Sequence, residues 1–326
     1  VDHSENQTSN PRIARGARTS SEIVDARLSR RGFLGGLAAS SSVLMAGCAT
    51  STPIESLSED KISAFSFDEI MRGVDDTHHV PAGYQADTVI RWGDALFEDS
   101  PSFDPMAQSE DAQLKQFGYN NDYLGFVPLP ADATGEPRGL LCANHEYVSS
   151  LLMQPDIAET YPDSMTRERC LTEMAAHGGS VVEIKRGPDG WAPVIGSAYN
   201  RRITAHSTPM ELTGPAAGAD RMKTTADPAG RMVAGTMNNC AGGITPWGTW
   251  LMAEENINGN FLGELDADHP EASNHERYGV AAGWYQWGRH IDRYDISKEQ
   301  NAPTRYGWIV AVAPMDPTST PKQRTA

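Results

Sequence analysis

Residues 238–258 limit the fold of this chain more than any other part of the sequence. They read NNCAGGITPWGTWLMAEENIN. The two adjacent glycines, the proline and the later glycine of this stretch exclude a continuous helix. Residues 231–237 before it are typical of a strand that enters, and residues 249–253, which alternate small and large side chains, of a strand that leaves. We therefore predict two strands joined by a glycine-rich loop.

The same stretch carries candidate metal ligands. Cys240 is expected at the end of the entering strand, and Glu254, Glu255 and Asn256 at the end of the leaving strand. A thiolate prefers a transition metal, whereas carboxylate and amide oxygens prefer a hard ion such as calcium. The alternative is a buried free cysteine beside solvated glutamates, since a free cysteine is commonly only buried.

A second candidate site follows a buried strand. Residues 140–143 are apolar and predict that strand, which delivers Asn144, His145 and Glu146 at its end. The same Asn-His-Glu triple recurs at residues 274–276, within a polar, acidic insertion. We interpret the first copy as a site and the second as a chance repeat.

Two further groups of polar residues allow two interpretations each. Asn120, Asn121 and Asp122 lie in a segment rich in glycine, asparagine and aromatic residues, where they either accept a cation or, more commonly, cap a turn. Glu211 lies in residues 207–215, which read as a loop. It is either a metal ligand or a capping group at the start of a helix.

The N-terminal residues have the features of an export signal. Arg30 and Arg31 form a twin-arginine pattern, and the mildly apolar run that follows is too short and too rich in glycine to span a membrane. Residues 1–48 are predicted to be a Tat signal and residues 49–64 a polar linker. The run ends in Ala-Gly-Cys, which resembles a lipobox with Met45 in place of the usual leucine. Cys48 is therefore either lipidated or simply lies beside a cleavage site.

Charge and cysteine content restrict the partners. The formal net charge is -16, so nucleic acid is not an expected partner, and a phosphate-bearing substrate would need bound metal ions. The cysteines after residue 48 are Cys142, Cys170 and Cys240, an odd number. A Cys142–Cys170 bridge or three free thiols both agree with the sequence.

The remaining pattern predicts short strands and little helix. Residues 163–176 predict one helix, with Ser164 as its cap. Residues 181–185 and 191–195 predict a hairpin, and residues 291–294 and 306–312 two further strands. Such a chain is typical of an all-β propeller or sandwich. No repeat of the length of a propeller blade is visible.

Several motifs resemble those of the PhoX-type alkaline phosphatases, a Tat-exported family with a calcium and iron active site. They are NNCAGGITPWGTWLMAEEN (residues 238–256), FGYNNDYLGF (117–126), NHEY (144–147) and YNRRITAHSTPMELTGPAAG (199–218). These stretches are long and irregular, and they follow the order of the family. The resemblance extends from about Gly73 to the C-terminus.

The resemblance implies a β-propeller that binds Fe3+ and Ca2+ and hydrolyses small phosphate esters by metal-ion catalysis. Cys240 would be the thiolate ligand of iron, with Glu255 as the leading carboxylate ligand. Other metal or phosphate contacts would come from Glu146, Glu211, Glu254, Asn144 and Asn256. The resemblance nominates no side chain of this chain as a catalytic nucleophile.

Members of the family are about twice as long as this chain. Residues 65–326 are therefore expected to be the N-terminal half of a propeller phosphatase domain, with further ligands beyond Ala326. The expected protein acts in the periplasm or outside the cell, as a monomer when complete, and touches the membrane only through its signal or a lipid on Cys48. The alternatives are a non-catalytic exported propeller that binds a ligand, and a calcium-dependent lactonase or phytase-like hydrolase.

Overall fold

The structure is a computed structural model that describes residues 67–325. The predicted signal (1–48) and linker (49–64) lie outside the described residues. The chain divides into two units, one ending at Tyr84 and the other beginning at Gln85. Residues 67–84 of the first unit contain no helix or strand. Within them, Asp75 and His79 form an exposed ion pair at 2.8 Å.

Short strands dominate the second unit. Its strands are β1 (Asn121–Leu129), β2 (Arg138–His145), β3 (Gly178–Gly187), β4 (Gly190–Pro193), β5 (Arg201–Ile203), β6 (Pro209–Thr213), β7 (Met232–Ala234), β8 (Asn239–Ile244), β9 (Trp250–Glu254), β10 (Ile309–Val312) and β11 (Lys322–Arg324). Its α-helices are α1 (Glu110–Lys115), α2 (Ser150–Met153), α3 (Arg167–Ala176) and α4 (Ala272–Tyr278).

The strands form two sheets. The first has the order β1-β2-β3-β4, with β5 also paired to β3, and all of its pairs are antiparallel. The second has the order β7-β6-β11-β10-β9-β8, in which only the β11–β6 pair is parallel. The parallel pair joins Glu211 to Lys322 and Leu212 to Gln323, so the middle of the second sheet depends on contacts between residues far apart in sequence.

One apolar core joins the two sheets. In the first sheet, β2 and β3 contribute Leu140, Cys142 and Val181, which are completely buried. Trp250 and Met252 of β9 approach Gly179 so closely that a Cβ atom there would lie 2.5 Å from the Trp250 ring. The glycine therefore lets the two sheets pack in direct contact, which brings β2 and β8 near each other.

The prediction of a mostly β protein with few helices is confirmed. The part of the chain described here forms two open sheets and no closed ring of blades. None of its helices has the length and apolar character needed to cross a bilayer.

Two local predictions hold in outline. The hairpin at residues 181–195 is present as β3 and β4. The predicted helix at 163–176 ends as expected, but it begins at Arg167 and is capped by Thr166, whose hydroxyl accepts from Arg169 N at 3.3 Å. Ser164 is not the cap, because it lies three residues before the first residue of the helix.

Other predictions are wrong. Residues 207–215 are not a loop, since β6 lies within them and is held by β7 and by the distant β11. Residues 291–294 contain a 3-10 turn at Asp292–Tyr294 rather than a strand. The entering strand is only β7, because Gly235 adopts a left-handed backbone with φ +85.

The glycine pair of the central motif also lies in a strand. Residues 239–244 form β8, so Cys240 lies near the start of a strand and not at the end of the entering one. A Cβ atom on Gly242 would lie 2.5 Å from the Tyr123 ring of β1. A glycine is needed here because the neighbouring sheet packs against it, not because the chain turns.

Candidate metal centre

Three potential ligands from different elements converge at the junction of the sheets. They are Asp122 of β1, Glu146 directly after β2, and Cys240 of β8. Their ligand atoms all lie within 4.8 Å of one another. Asp122 is exposed, and the other two are partly buried. The group therefore combines a thiol with two carboxyl groups at an accessible position.

β-bulges aim two of these side chains. The register of β1 against β2 shifts between Asn121 and Leu124, so Asp122 lies in the bulge. The register of β8 against β9 shifts between Asn239 and Gly242, so Cys240 lies in a second bulge. A bulge bends the strand and turns a side chain out of the regular alternation. Both bulges lie at the ends of their strands that face the group.

Three asparagines with left-handed backbones flank the group. Asn120, Asn238 and Asn256 have φ values of 47°, 49° and 47°, a region that asparagine tolerates better than most residues. The carbonyl of Asn120 accepts from Glu146 N at 3.0 Å, and the carbonyl of Asn238 accepts from Glu255 N at 3.0 Å. These bonds hold the backbone of Glu146 against the residue before β1, and the backbone of Glu255 against the residue before β8.

Asn144 fastens the two sheets together beside the group. Its side-chain Nδ2 donates to the carbonyls of Cys240 at 2.7 Å and Ala241 at 3.1 Å. Asn144 is completely buried, and its Oδ1 has no hydrogen-bond partner within residues 67–325. A buried amide oxygen without a partner is costly, and a cation in the group is one partner that would satisfy it.

The electrostatics of the group also favour a cation. The pKa of the Cys240 thiol is raised to about 12, chiefly by its hydrogen bond to Asp122 and then by burial. The pKa of Glu146 is raised to about 7, first by burial and then by the negative charges of Asp122 and Glu255. Crowded acidic groups oppose their own ionisation. A bound cation would reverse both effects.

Glu255 and Asn256 lie at the edge of the group. Glu255 faces Glu146 closely enough to influence its ionisation. Asn256 donates from Nδ2 to Glu255 Oε1 at 2.6 Å. Both side chains are exposed, so their oxygens are accessible to an ion or to a ligand from solvent.

Glu254 lies elsewhere, with its carboxylate buried inside the second sheet. The donors to its two oxygens are Thr236 Oγ1 (2.6 Å), Gln323 Nε2 (3.0 Å), Gly307 N (2.8 Å) and Trp308 N (3.2 Å). Burial raises its pKa to about 7. These contacts make Glu254 a brace between β9, β11 and the segment before β10, and it is not a member of the three-residue group.

Glu211 is also outside the group. It lies within β6, which excludes the helix-cap interpretation, and its carboxylate pairs with Lys322 at 3.2 Å. The second Asn-His-Glu triple lies on α4 and does not join the group either. Cys142 and Cys170 are buried and unbridged, so the disulfide alternative is wrong.

Asp122 is the residue that sequence reasoning passed over in favour of turn capping. A signal was present, because Asp122 and Cys240 each follow a pair of asparagines. In both places the first asparagine of the pair has a left-handed backbone and the third residue occupies a bulge. The repeated Asn-Asn-ligand pattern links the two positions.

Comparison with known proteins places this geometry in context. The profile of the family described as Alkaline phosphatase PhoX matches residues 65–326. A solved structure of Pseudomonas fluorescens PhoX in complex with vanadate, a transition state analogue, matches with a TM-score of 0.72 and 37% sequence identity. That match covers 79% of this chain and 43% of the Pseudomonas chain, so this chain spans less than half the length of that protein. No curated protein matches. The family profile covers most of the chain and includes every residue of the group, and the chain therefore belongs to the alkaline phosphatase PhoX family.

Proposed function

We propose that this chain contributes part of the metal centre of an exported alkaline phosphatase that hydrolyses small phosphate monoesters. The observation that carries the proposal is the convergence of Asp122, Glu146 and Cys240 in a member of the PhoX family. The related Pseudomonas protein was solved with vanadate, a transition state analogue.

The donor set fits two kinds of cation. The Cys240 thiolate suits Fe3+, and the carboxylates of Asp122, Glu146 and Glu255 suit Ca2+, which takes many oxygen ligands. Asn144 Oδ1, which is buried and has no hydrogen-bond partner within residues 67–325, is a further candidate oxygen ligand on a residue bonded to the Cys240 carbonyl. We assign Cys240 to iron and the oxygen ligands to calcium.

The bound cations would neutralise the phosphoryl oxygens and supply an activated oxygen nucleophile at moderate pH. The residues of this chain hold the ligands in place for that role. Asn144 fixes the Cys240 bulge against β2, and the Asn120 carbonyl fixes the backbone of Glu146. Glu255 and Asn256, both exposed, lie where an entering phosphate would meet the centre. We assign them contact with the metal or the phosphate.

A phosphate ester could not approach this surface without those cations. The chain carries a formal charge of -16, and the group itself consists of acidic side chains. Repulsion would therefore keep a dianionic substrate away. Removal of the metals should abolish substrate binding as well as turnover.

We also propose that the two sheets are blades of a β-propeller, and that residues 1–48 export the folded protein through the Tat machinery. Under this proposal the protein acts in the periplasm or outside the cell. It is a monomer and contacts the membrane only through its signal or a lipid on Cys48. The motif at residues 29–34 and the resemblance of residues 46–48 to a lipobox support the export route.

Hydrolysis of 4-nitrophenyl phosphate by the full-length protein tests the proposal. We expect activity at alkaline pH that is inhibited by vanadate, lost on treatment with a chelator and restored by calcium. Metal analysis of the purified protein should find iron and calcium. A protein without phosphatase activity that hydrolyses a lactone, or one that retains phosphatase activity after complete metal removal, would contradict it.

A further inference from the structure

The two acid-bearing segments of the metal centre are joined by a third segment that carries no ligand. Glu146 begins an irregular stretch, residues 146–149, that belongs to neither a helix nor a strand. Glu255 is followed by a short 3-10 turn at Ile257–Asn260. Residues 282–285 lie between these two segments and bond to both.

Tyr285 is the point at which both connections are made. Its hydroxyl accepts from Val148 N at 3.1 Å and donates to Val148 O at 3.0 Å. Its own backbone N–H donates to the carbonyl of Gly259 at 3.2 Å. Val148 is two residues after Glu146, and Gly259 is four residues after Glu255. One residue therefore bridges the segments that carry both carboxylates.

The bridge is rigid because the rest of Tyr285 is held firmly. The side chain is 5% exposed. Its ring stacks on Trp287 with centroids 4.7 Å apart and meets His177 edge-on at 5.4 Å. Trp287 is itself anchored by a hydrogen bond from Nε1 to Glu173 at 2.8 Å. The hydroxyl is thus presented to Val148 from a fixed position.

Trp284, the residue before Tyr285, adds further contacts to the Glu255 segment. Trp284 N donates to Gly259 O at 2.8 Å, and Ala282 N donates to Asn258 O at 2.9 Å. The Trp284 ring covers Gly259 so closely that a Cβ atom on Gly259 would lie 2.3 Å from it. The Glu255 side of the bridge therefore has several attachments. Residues 282–285 are connected to the Glu146 segment through the hydrogen bonds of the Tyr285 hydroxyl to Val148.

We propose that Tyr285 is a positioning residue of the metal centre: its hydroxyl holds the Glu146 segment in register with the Glu255 segment. The inference rests on the proposed metal centre. Two carboxylates that face each other repel. Glu146 N is bound to the Asn120 carbonyl and Ser149 O to α2, and between these two anchors the backbone hydrogen bonds among the described residues are those of Val148 to the Tyr285 hydroxyl. The Tyr285 bridge keeps the carboxylates preorganised, so that less ordering is required when calcium enters.

Calcium affinity of the variant Tyr285→Phe tests this role. The substitution removes one oxygen atom and leaves the ring stack intact. Calcium alone would be titrated calorimetrically into the chelator-treated full-length protein. We expect Tyr285→Phe to bind calcium about tenfold more weakly than wild type, which is the lower end of the loss seen when groups that support metal ligands are removed.

Tyr294→Phe is the matched control. Tyr294 belongs to the same aromatic cluster, is completely buried, and donates its hydroxyl to Ala205 O at 3.4 Å. Ala205 lies outside the segments that contain the candidate ligands. The control should therefore bind calcium with wild-type affinity, even if loss of a buried hydrogen bond lowers its thermal midpoint.

The increase in the thermal midpoint caused by calcium gives a second measurement if Tyr285→Phe is unstable, because that increase reports affinity for the native state. It should be smaller for Tyr285→Phe than for Tyr294→Phe. Equal affinities and equal increases for the two variants would overturn the role of Tyr285 and leave the metal centre standing. A wild type that binds no calcium would overturn the calcium centre and this inference with it.

Discussion

At the scale of single residues, asparagine is the residue that shapes this site. Asn120 and Asn238 each begin an Asn-Asn pair, adopt a left-handed backbone and precede a bulge that carries a candidate ligand. Asn144 uses its amide to hold the Cys240 bulge. Left-handed backbone costs most residues about 1–2 kcal/mol, and asparagine is among the few that visit it routinely. The asparagines therefore allow the two sharp bends at a low energetic cost without glycine.

Replacement of Cys240 should affect iron binding, whereas replacement of Cys142 or Cys170 should affect only stability. Cys240→Ser should remove a visible thiolate-to-iron absorption band and most of the phosphatase activity, because a hydroxyl is a far poorer ligand for iron than a thiolate. Cys142→Ser and Cys170→Ser should keep the band. Each buries a hydroxyl in the apolar core, so each should lower the free energy of unfolding by about 1–3 kcal/mol. Absorption spectra and denaturant titrations measure the two effects separately.

A colourless but fully active wild type would contradict this assignment of Cys240. Loss of the band in Cys142→Ser at unchanged stability would contradict it as well, since Cys142 lies within β2 and is completely buried.

The sequence indicated only part of the site. Some of its residues stand in recognisable motifs, whereas the orientation of others depends on strands that are distant in sequence. Cys240, Glu146, Glu255 and Asn144 stand in unusual short motifs that can be recognised from the sequence. Whether each of them binds metal stays a prediction. Asp122 was not selected, because its orientation depends on a bulge formed against β2. A bulge depends on the pairing of two strands, so the asparagine pair before Asp122 could be interpreted only after its bulge was compared with the bulge at Cys240.

At the scale of elements, the contact between β1 and β8 brings the candidate ligands Asp122 and Cys240 together. The Tyr123 ring of β1 fills the space above Gly242 of β8. Asp122 directly precedes Tyr123, and Cys240 lies two residues before Gly242. The packing of a tyrosine on a glycine therefore sets the distance between a carboxylate and the thiol.

Gly242→Ala tests this contact. The added methyl group would lie 2.5 Å from the Tyr123 ring and 2.9 Å from the carbonyl of Leu251. Such overpacking costs about 1–3 kcal/mol of stability, and it should push β8 away from β1 and weaken metal binding. Unfolding curves and calcium titration measure the two effects.

Gly243→Ala is the neighbouring control. A Cβ atom on Gly243 would meet nothing within 4 Å, so this variant should keep wild-type stability within about 0.5 kcal/mol and bind calcium normally. Equal effects of the two substitutions would show that β8 needs glycine for its backbone and not for its contact with Tyr123.

Elements formed by local contacts could be predicted, and those formed by distant pairings could not. The hairpin of β3 and β4 has its turn residues in the sequence, and α3 ends where glycines follow. By contrast, β6 pairs with β11 about a hundred residues later. Met210 and Leu212 do alternate with exposed residues, but five residues between prolines and glycines are also typical of a loop. The pairing partner decides between these states.

At the scale of the whole molecule, the proposed export route and the proposed metal centre have to be compatible. The sequence places Arg30 and Arg31 before a weakly apolar run, the form of signal used by a route that carries folded proteins. A centre assembled from β1, β2 and β8 exists only after the chain has folded. Export in the folded state would allow iron and calcium to bind to a finished site.

Replacement of Arg30 and Arg31 by lysine should therefore leave the protein in the cytoplasm. Cell fractionation with an antibody against the protein measures this, and replacement of a pair of later arginines, such as Arg167 and Arg231, serves as the control. Normal export of the lysine variant would contradict a Tat route and would leave the assignment of the metal centre unaffected.

Buried ionisable groups make the stability of this chain depend on pH, and the proposed calcium site should add to that dependence. Glu146, Glu173 and Glu254 each have a pKa raised to about 7, with burial as the first cause. An acid whose pKa is higher in the folded state stabilises the fold at low pH, and this contribution is lost as pH rises through the folded value. Buried histidines act in the opposite direction, because burial lowers the pKa of His145 and His177. The thermal midpoint of the metal-free protein thus mixes opposing effects.

The difference between the midpoints with calcium and with chelator separates Glu146 from the others, since the buried acids and histidines contribute equally to both. Calcium must displace the proton of Glu146, which is held by burial and by the charges of Asp122 and Glu255. We therefore expect the midpoint to rise little on addition of calcium at pH 5 and much more at pH 8, with most of the change near pH 7. Calorimetry at four pH values measures it. In Glu146→Gln this increase should be smaller and should no longer vary across that range, because no proton is left to displace there. An increase of the same size at pH 5 and pH 8 in the wild type would mean that calcium binds without the Glu146 carboxylate.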